Sequence, residues 1–309
     1  MNILYFLLLI GLFFLLGKSA DLLIDGIKIL GLKLKIKTIY LGFILGLITT
    51  LPEIFIGINA VSEGIPALAY GNLIGGVVVL LGFMMGLNII FRRGIKITSE
   101  FSTSILILLV VFFMLPIVFI WNGRISQLEG LILIILYMVL AVAFFNSREK
   151  TISAEPRRTG VTLKHSLIIT FIGLIGVIIL SKFIITTTLL LLDGLKIPKL
   201  MLGIIVFSLG TNLPELIIVF ESWKKKFQGI ALGNLVGSAM ANILVIGIFS
   251  LIKAVEIPIT QDFYFFAIIF FVIVVLFSIF AKTGKRLRPA EGMVLIGLYV
   301  LFLIVEFLF

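Results

Sequence analysis

The chain has no cysteine, a single histidine and, over 309 residues, only 13% that carry charge. The missing cysteines exclude disulfides, thiolate metal sites, cysteine nucleophiles and iron–sulfur clusters. One imidazole, His165 beside Lys164, cannot build a histidine metal site. A soluble domain carries about 25% charged and roughly 45–50% apolar residues. Here 61% are hydrophobic and the mean hydropathy is +1.31, which nearly excludes a soluble globular fold. The net charge of +10 therefore bears first on membrane topology rather than on nucleic acid, for which no role is expected.

What the sequence has instead is apolar blocks of about twenty residues, each long enough to cross a hydrocarbon core about 30 Å thick. They are too long and too uniformly apolar for the alternating strands of a barrel, so the fold class is all-α, a polytopic membrane protein. Ten transmembrane helices are expected, near 3–30, 38–61, 67–90, 101–121, 127–146, 165–193, 199–222, 229–252, 262–281 and 290–308. The connections after odd-numbered helices carry 18 Lys and Arg and those after even-numbered helices 4, which places the odd connections in the cytoplasm and both termini outside. The first block lacks a basic leader and a small-residue cleavage site, and is expected to be a retained helix. The polar stretch rich in Ser, Glu, Pro and Arg divides the chain into a first five-helix repeat at 1–147, a cytoplasmic linker at 148–163 and a second repeat at 164–309. No loop is large enough for a separate ion-sensing domain.

Self-similarity supports that division. Thr50-Leu51-Pro52-Glu53 recurs as Asn212-Leu213-Pro214-Glu215, and Gly71-Asn72-Leu73-Ile74-Gly75-Gly76 recurs as Gly233-Asn234-Leu235-Val236-Gly237-Ser238, both at an offset of 162 residues. A shared offset links the two matches far more strongly than either match alone. Because five is odd, the second repeat enters the membrane upside down, which is the plan of secondary transporters with a midplane site between repeats.

Glu53 and Glu215 lie in mid-block, where an ionisable group is costly and marks a functional site. No basic residue is obviously placed to neutralise them, so two carboxylates brought together by pseudo-symmetry call for protons or cations. Pro52 and Pro214 cannot bond the carbonyls of Ile48 and Gly210, which frees backbone oxygens beside the glutamates. Thr49 and Thr50 share a helical face with Glu53, as Thr211 and Asn212 do with Glu215, while Ser238 and Asn242 stand four apart in the eighth helix. Carboxylate, hydroxyl, amide and carbonyl oxygens without sulfur or imidazole favour Ca2+, Mg2+ or Na+.

Gly-Thr-Asn-Leu-Pro-Glu at 210–215 followed by Gly-Asn-Leu-Val-Gly-Ser at 233–238 resembles the α-repeats of the sodium/calcium exchanger family, within the calcium:cation antiporter superfamily. The resemblance spans nearly the whole chain. It implies an antiporter of the cell membrane that exchanges Ca2+ for Na+ by alternating access, with Thr49, Thr50, Glu53, Thr211, Asn212, Glu215, Ser238 and Asn242 as ligands of the transported ions. It implies no catalytic residue and no cofactor. Membrane lipid is the surrounding partner, and no obligatory protein partner is evident. The first repeat departs from the family pattern: Gly76 stands in place of Ser, Leu80 in place of Asn or Asp, and Ile48 in place of Gly. Asn212 replaces the commoner Ser or Thr. Leu80 can coordinate nothing, so at least one Na+ site is expected to be weakened, which leaves H+-coupled exchange of Ca2+ or of another divalent cation as the alternative. An intramembrane hydrolase finds no Ser–His pair, zinc motif or diphosphate motif, and a non-transporting ion sensor rests on Gly76 and Leu80 alone.

The remaining features have plainer roles. Gly71, Gly75, Gly233 and Gly237 are expected to allow close helix packing. Asp21 and Asp25 are expected to snorkel or bond locally, and Lys224–Lys226 and the basic cluster at 282–288 to fix orientation with anionic lipid contact as a secondary effect. Asn72 and Asn234 are expected to cap or gate the shorter half-helices.

Overall fold

The computed structural model describes residues 2–34, 38–62, 66–97, 101–146, 162–191, 204, 207–226, 228–257, 261–283 and 286–308. The expected linker therefore lies almost wholly outside the described residues. Helix α1 (Asn2–Leu34) is followed by α2 (Thr38–Thr49) and α3 (Leu51–Ser62), and α4 (Pro66–Val78) runs through a π-helical stretch (Val79–Met84) into α5 (Met85–Phe91). Then come β1 (Ile95–Lys96), α6 (Thr103–Ile120), β2 (Arg124–Ile125), α7 (Gln127–Asn146) and α8 (Leu163–Leu191). The chain continues with α9 (Ser208–Thr211), α10 (Leu213–Lys224), α11 (Gln228–Ile252), β3 (Val255–Glu256), α12 (Gln261–Thr283), β4 (Arg286–Leu287) and α13 (Pro289–Leu308).

Six described helical stretches are long and apolar enough to cross a membrane. Of these, 66–91 and 228–252 are 83% and 78% buried, against 17% for 163–180, so the first two form the centre and α8 lies at the periphery. Two expected spans are corrected. The blocks at 38–61 and 199–222 are not continuous helices: the first breaks at Thr50 and the second at Asn212, and new helices start at Leu51 and Leu213. Proline is the cause. Pro52 and Pro214 each fall second in the new helix, where a missing N–H costs nothing and a fixed φ favours a fresh first turn.

The 162-residue offset reappears in three dimensions. Helices α3 and α10 begin at 51 and 213, α4 and α11 at 66 and 228, and α7 and α13 at 127 and 289. Strand β1 pairs antiparallel with β4, and β2 with β3. By the offset, β4 (286–287) is the counterpart of β2 (124–125), yet each pairs with the strand that follows the central span of the other half. Counterpart connections thus sit at opposite ends of the molecule, as an inverted repeat requires. Glycine contacts repeat the exchange: a Cβ on Gly130 would lie 2.7 Å from the Gly247 carbonyl oxygen, and one on Gly292 would lie 2.9 Å from that of Gly86.

Apolar packing divides in two. Most of the core gathers around α4, the π-helical stretch, α11 and α12. A separate cluster joins Leu16, Ala20, Leu23, Ile24 and Ile27 of α1 to Val177 of α8, and meets the rest through Leu41, Leu45, Ile218 and Ile230. Asp21 and Asp25 do not act locally as expected: Lys225, just beyond α10, pairs with Asp21 Oδ1 at 2.9 Å and Asp25 Oδ2 at 3.0 Å.

Candidate ion-binding site

The site rests on a close approach of α2 and α11. Gly42-x-x-x-Gly46 on one helix faces Gly233-x-x-x-Gly237 on the other. Each glycine lies against the partner's backbone: a Cβ on Gly46 would stand 2.5 Å from the Ser238 nitrogen, and one on Gly237 2.7 Å from the Phe43 oxygen. Small residues let helix backbones meet where lipid offers no hydrophobic incentive for association. The expectation for Gly233 and Gly237 is met, and their contact carries Asn234 and Ser238 up to the broken end of α2.

There the polar residues converge, all buried. Glu215 and Glu53 are 0% and 1% exposed, in the first turns of α10 and α3, where free N–H groups and the helix dipole favour negative charge. Thr49 Oγ1 donates to Glu215 Oε1 at 2.7 Å, and Ser238 Oγ donates to the same oxygen at 3.0 Å. Asn234 Nδ2 lies 3.5 Å from Thr49 Oγ1. On the other side of the pseudo-symmetry axis the Thr211 hydroxyl is the side-chain partner of Glu53 and also lies 3.2 Å from Asn72 Oδ1. Each threonine therefore serves the glutamate of the opposite half and is backed by an asparagine of the opposite half.

The remaining expected ligands border this cluster with their protons already committed. Thr50 Oγ1 donates to the Gly46 carbonyl at 2.8 Å, Asn212 Nδ2 to Ser208 O at 2.7 Å and Asn242 Nδ2 to Leu73 O at 3.2 Å. Four buried oxygens of this cluster have no hydrogen-bond partner among the described residues: Glu53 Oε2, Glu215 Oε2, Asn234 Oδ1 and Asn242 Oδ1. No Lys, Arg or His of the described residues pairs with either glutamate. Nor does any trio of His, Cys, Asp or Glu form a metal cluster there. Two carboxylates and a surround of neutral oxygens is a hard, oxygen-only donor set, suited to alkali and alkaline-earth cations.

Asymmetry between the halves has a structural basis. A Cβ on Gly76 would lie 3.1 Å from Asn212 Nδ2 and closer still to Asn242 Nδ2, so the two amides fill the space that the counterpart of Ser238 would need. Leu80, the counterpart of Asn242, is fully buried in the π-helical stretch, whereas α11 passes its equivalent position as unbroken α-helix. Asn72 and Asn234, expected from sequence to cap or gate half-helices, instead stand against the threonines of the opposite half. Their roles depend on partners 139 and 185 residues away, and the only cue was their presence in the repeated hexamer.

Several known proteins are similar to the chain. The chain is 30% identical over 133 residues, 43% of its length and 38% of the relative's, to the sodium/calcium exchanger MaX1 of Methanosarcina acetivorans. It is 25% identical over 257 residues, covering 82% of this chain and 81% of the relative, to an uncharacterised membrane protein of Methanocaldococcus jannaschii. The fold matches that of the sodium-calcium exchanger NCX_Mj soaked with Na+ and Sr2+, with a TM-score of 0.81 at 23% identity over 98% of this chain and 99% of that one. The model of the sodium/calcium exchanger protein family matches residues 4–146 and 165–308, and the chain belongs to that family of integral membrane transporters.

Proposed function

We propose that the chain is a secondary antiporter that exchanges Ca2+ for Na+ across the cell membrane at the site between Glu53 and Glu215. The observation that carries this reading is the pair of buried glutamates with an unpartnered oxygen each and no described cationic side chain beside them. Their two charges suit one Ca2+, with Thr49 and Thr211 as flanking oxygens. Ser238, Asn242, Thr50 and Asn212 extend the donor set to overlapping Na+ positions. Bare carboxylates are costly to carry through a dry barrier, so the ion-free protein resists switching and exchange follows. The helix pair α1·α8, packed on its own apolar cluster, is the element that slides to alternate access.

The ten-helix arrangement, the division at 147–164 and the external termini belong to the same proposal. Two separate matches to one family model, the 162-residue spacing of helix starts and the distribution of Lys and Arg support it. Gly76 and Leu80 remove oxygens from the first half only, which favours fewer Na+ ions per cycle and keeps H+ coupling, or another divalent cargo, as the second reading.

The test is radioactive Ca2+ uptake into proteoliposomes preloaded with Na+. Wild-type uptake should require the Na+ gradient, and Glu53→Gln or Glu215→Gln should lower it at least about 100-fold, since removing one charge of a buried arrangement costs about 3–5 kcal/mol. Uptake driven by a proton gradient alone would transfer the proposal to H+ coupling, and no Ca2+ flux under either gradient would refute Ca2+ as cargo.

A further inference from the structure

The two strand ladders differ in charge. In β2·β3 the facing pair is Arg124 and Glu256, of opposite sign. In β1·β4 the facing pair is Lys96 and Arg286, two cations, a juxtaposition that destabilises an antiparallel pair when nothing intervenes. Below them the apolar pair Ile95 and Leu287 is fully buried and fixes the register, so the two cations cannot slip apart. Further cations crowd the same end. Arg93 precedes β1 with a positive φ, and its carbonyl holds Arg286 Nη2 at 2.8 Å; Arg288 follows β4. Arg93, Lys96, Arg286 and Arg288 are all exposed, and among the described residues none of the four forms an ion pair. The neighbouring carboxylate, Glu291, accepts instead from the Arg288 backbone N–H at the start of α13.

The depth of this cluster is marked by Trp223, and that of the opposite ladder by Trp121, the chain's two tryptophans. Trp121 lies beside β2 and meets Tyr264 with ring centroids 5.3 Å apart, while Trp223 meets Phe91, the residue before Arg92 and Arg93, at 5.5 Å. Both tryptophans are exposed, at 59% and 41%. Tryptophan and tyrosine concentrate at the headgroup level of a bilayer. The β1·β4 cations therefore stand where lipid phosphates lie, which separates a lipid from a free anion as their occupant.

We infer that the β1·β4 ladder, through Lys96 and Arg286 with Arg93 and Arg288, binds the headgroup of an anionic phospholipid, which supplies the negative charge that Glu256 supplies in the other ladder. The inference holds whatever ion the central site carries. Each cation near an anionic surface contributes about 1 kcal/mol, so Lys96→Gln with Arg286→Gln should weaken retention of the lipid roughly 30-fold.

The experiment is native mass spectrometry of protein purified from vesicles of phosphatidylcholine and phosphatidylglycerol. Wild type should keep phosphatidylglycerol through delipidation, K96Q/R286Q should lose it, and K96R/R286K, which preserves charge, should keep it. Arg286→Glu recreates the sign pattern of the other ladder; it should lose the lipid while its melting temperature in detergent rises, which separates lost binding from lost folding. Equal retention by wild type and K96Q/R286Q would overturn the inference. So would displacement of the lipid by millimolar glycerol phosphate, which would make the occupant a soluble anion.

Discussion

At the residue scale, the site turns on the single proton of each threonine hydroxyl. Thr49 gives its proton to Glu215 and must accept from Asn234 Nδ2; Thr211 has two acceptors in reach, Glu53 and Asn72 Oδ1. Rotating the Asn72 amide by a half turn would present Nδ2, which has no partner now, to Thr211 and release that proton to Glu53. When a cation takes a threonine lone pair, the reverse rotation gives the proton an acceptor that is not the cation's own carboxylate. Asn72 and Asn234 are in this sense positioning residues for the threonines. Asn234→Ala should raise the Ca2+ concentration for half-maximal uptake about 10-fold, the cost of one buried hydrogen bond, with little change in maximal rate. Partial rescue by Asn234→Gln and failure of rescue by the size-matched Asn234→Leu would bear this out, whereas an equal fall in maximal rate for all three variants would leave only a packing role. The glutamates and the threonines were readable because chemistry, depth and repetition coincide on short segments. The asparagine roles were not, because a hydrogen bond between residues of different halves leaves no periodicity in either.

At the element scale, broken helices and ionic contacts decide what can move. Sequence showed the prolines but not that each would start a new helix, since an apolar run of suitable length reads as one span. The π-helical stretch is likewise invisible in composition, because Val79–Met84 is as apolar as the α-helix around it. Nor did hydropathy reveal that α1 is fastened to the end of α10. Burial alone would lower the Lys225 ammonium, but Asp21 and Asp25 outweigh it and hold the group above the ordinary lysine value. A raised lysine keeps its charge below that value and loses it only as pH climbs through it, so this fastening persists across neutral pH and yields to salt instead. Cysteines placed at Asp25 and Lys225 would be the only thiols in the chain. Bridging them with a bifunctional thiol reagent should stop Ca2+ flux and leave Ca2+ binding intact, as expected if α1 must leave α10 during the cycle. Full-rate exchange by the bridged protein would mean that α1 keeps its place.

At the scale of the whole molecule, the repeat was the most readable feature and its spatial use the least. The 162-residue offset announced two similar halves and an odd helix count announced their inversion. Two-residue strands are too short to show an alternating pattern, so the crossed ladders could not be foreseen. Those ladders have a mechanical consequence. Each ties one half to the other, and they do so at opposite ends, while the glycine contacts Gly130–Gly247 and Gly86–Gly292 lock α7 to α11 and α13 to α5. The central body is thus laced shut on both faces of the membrane and cannot gape by hinging its halves apart. If α1·α8 alone travels, and travels along its own length, the area that the protein occupies in the bilayer plane stays nearly constant through a cycle. Lateral tension then has no area change on which to do work, and Ca2+ flux in vesicles stretched by osmotic swelling should match that in slack ones; a steep dependence on tension would show that the laced body opens after all.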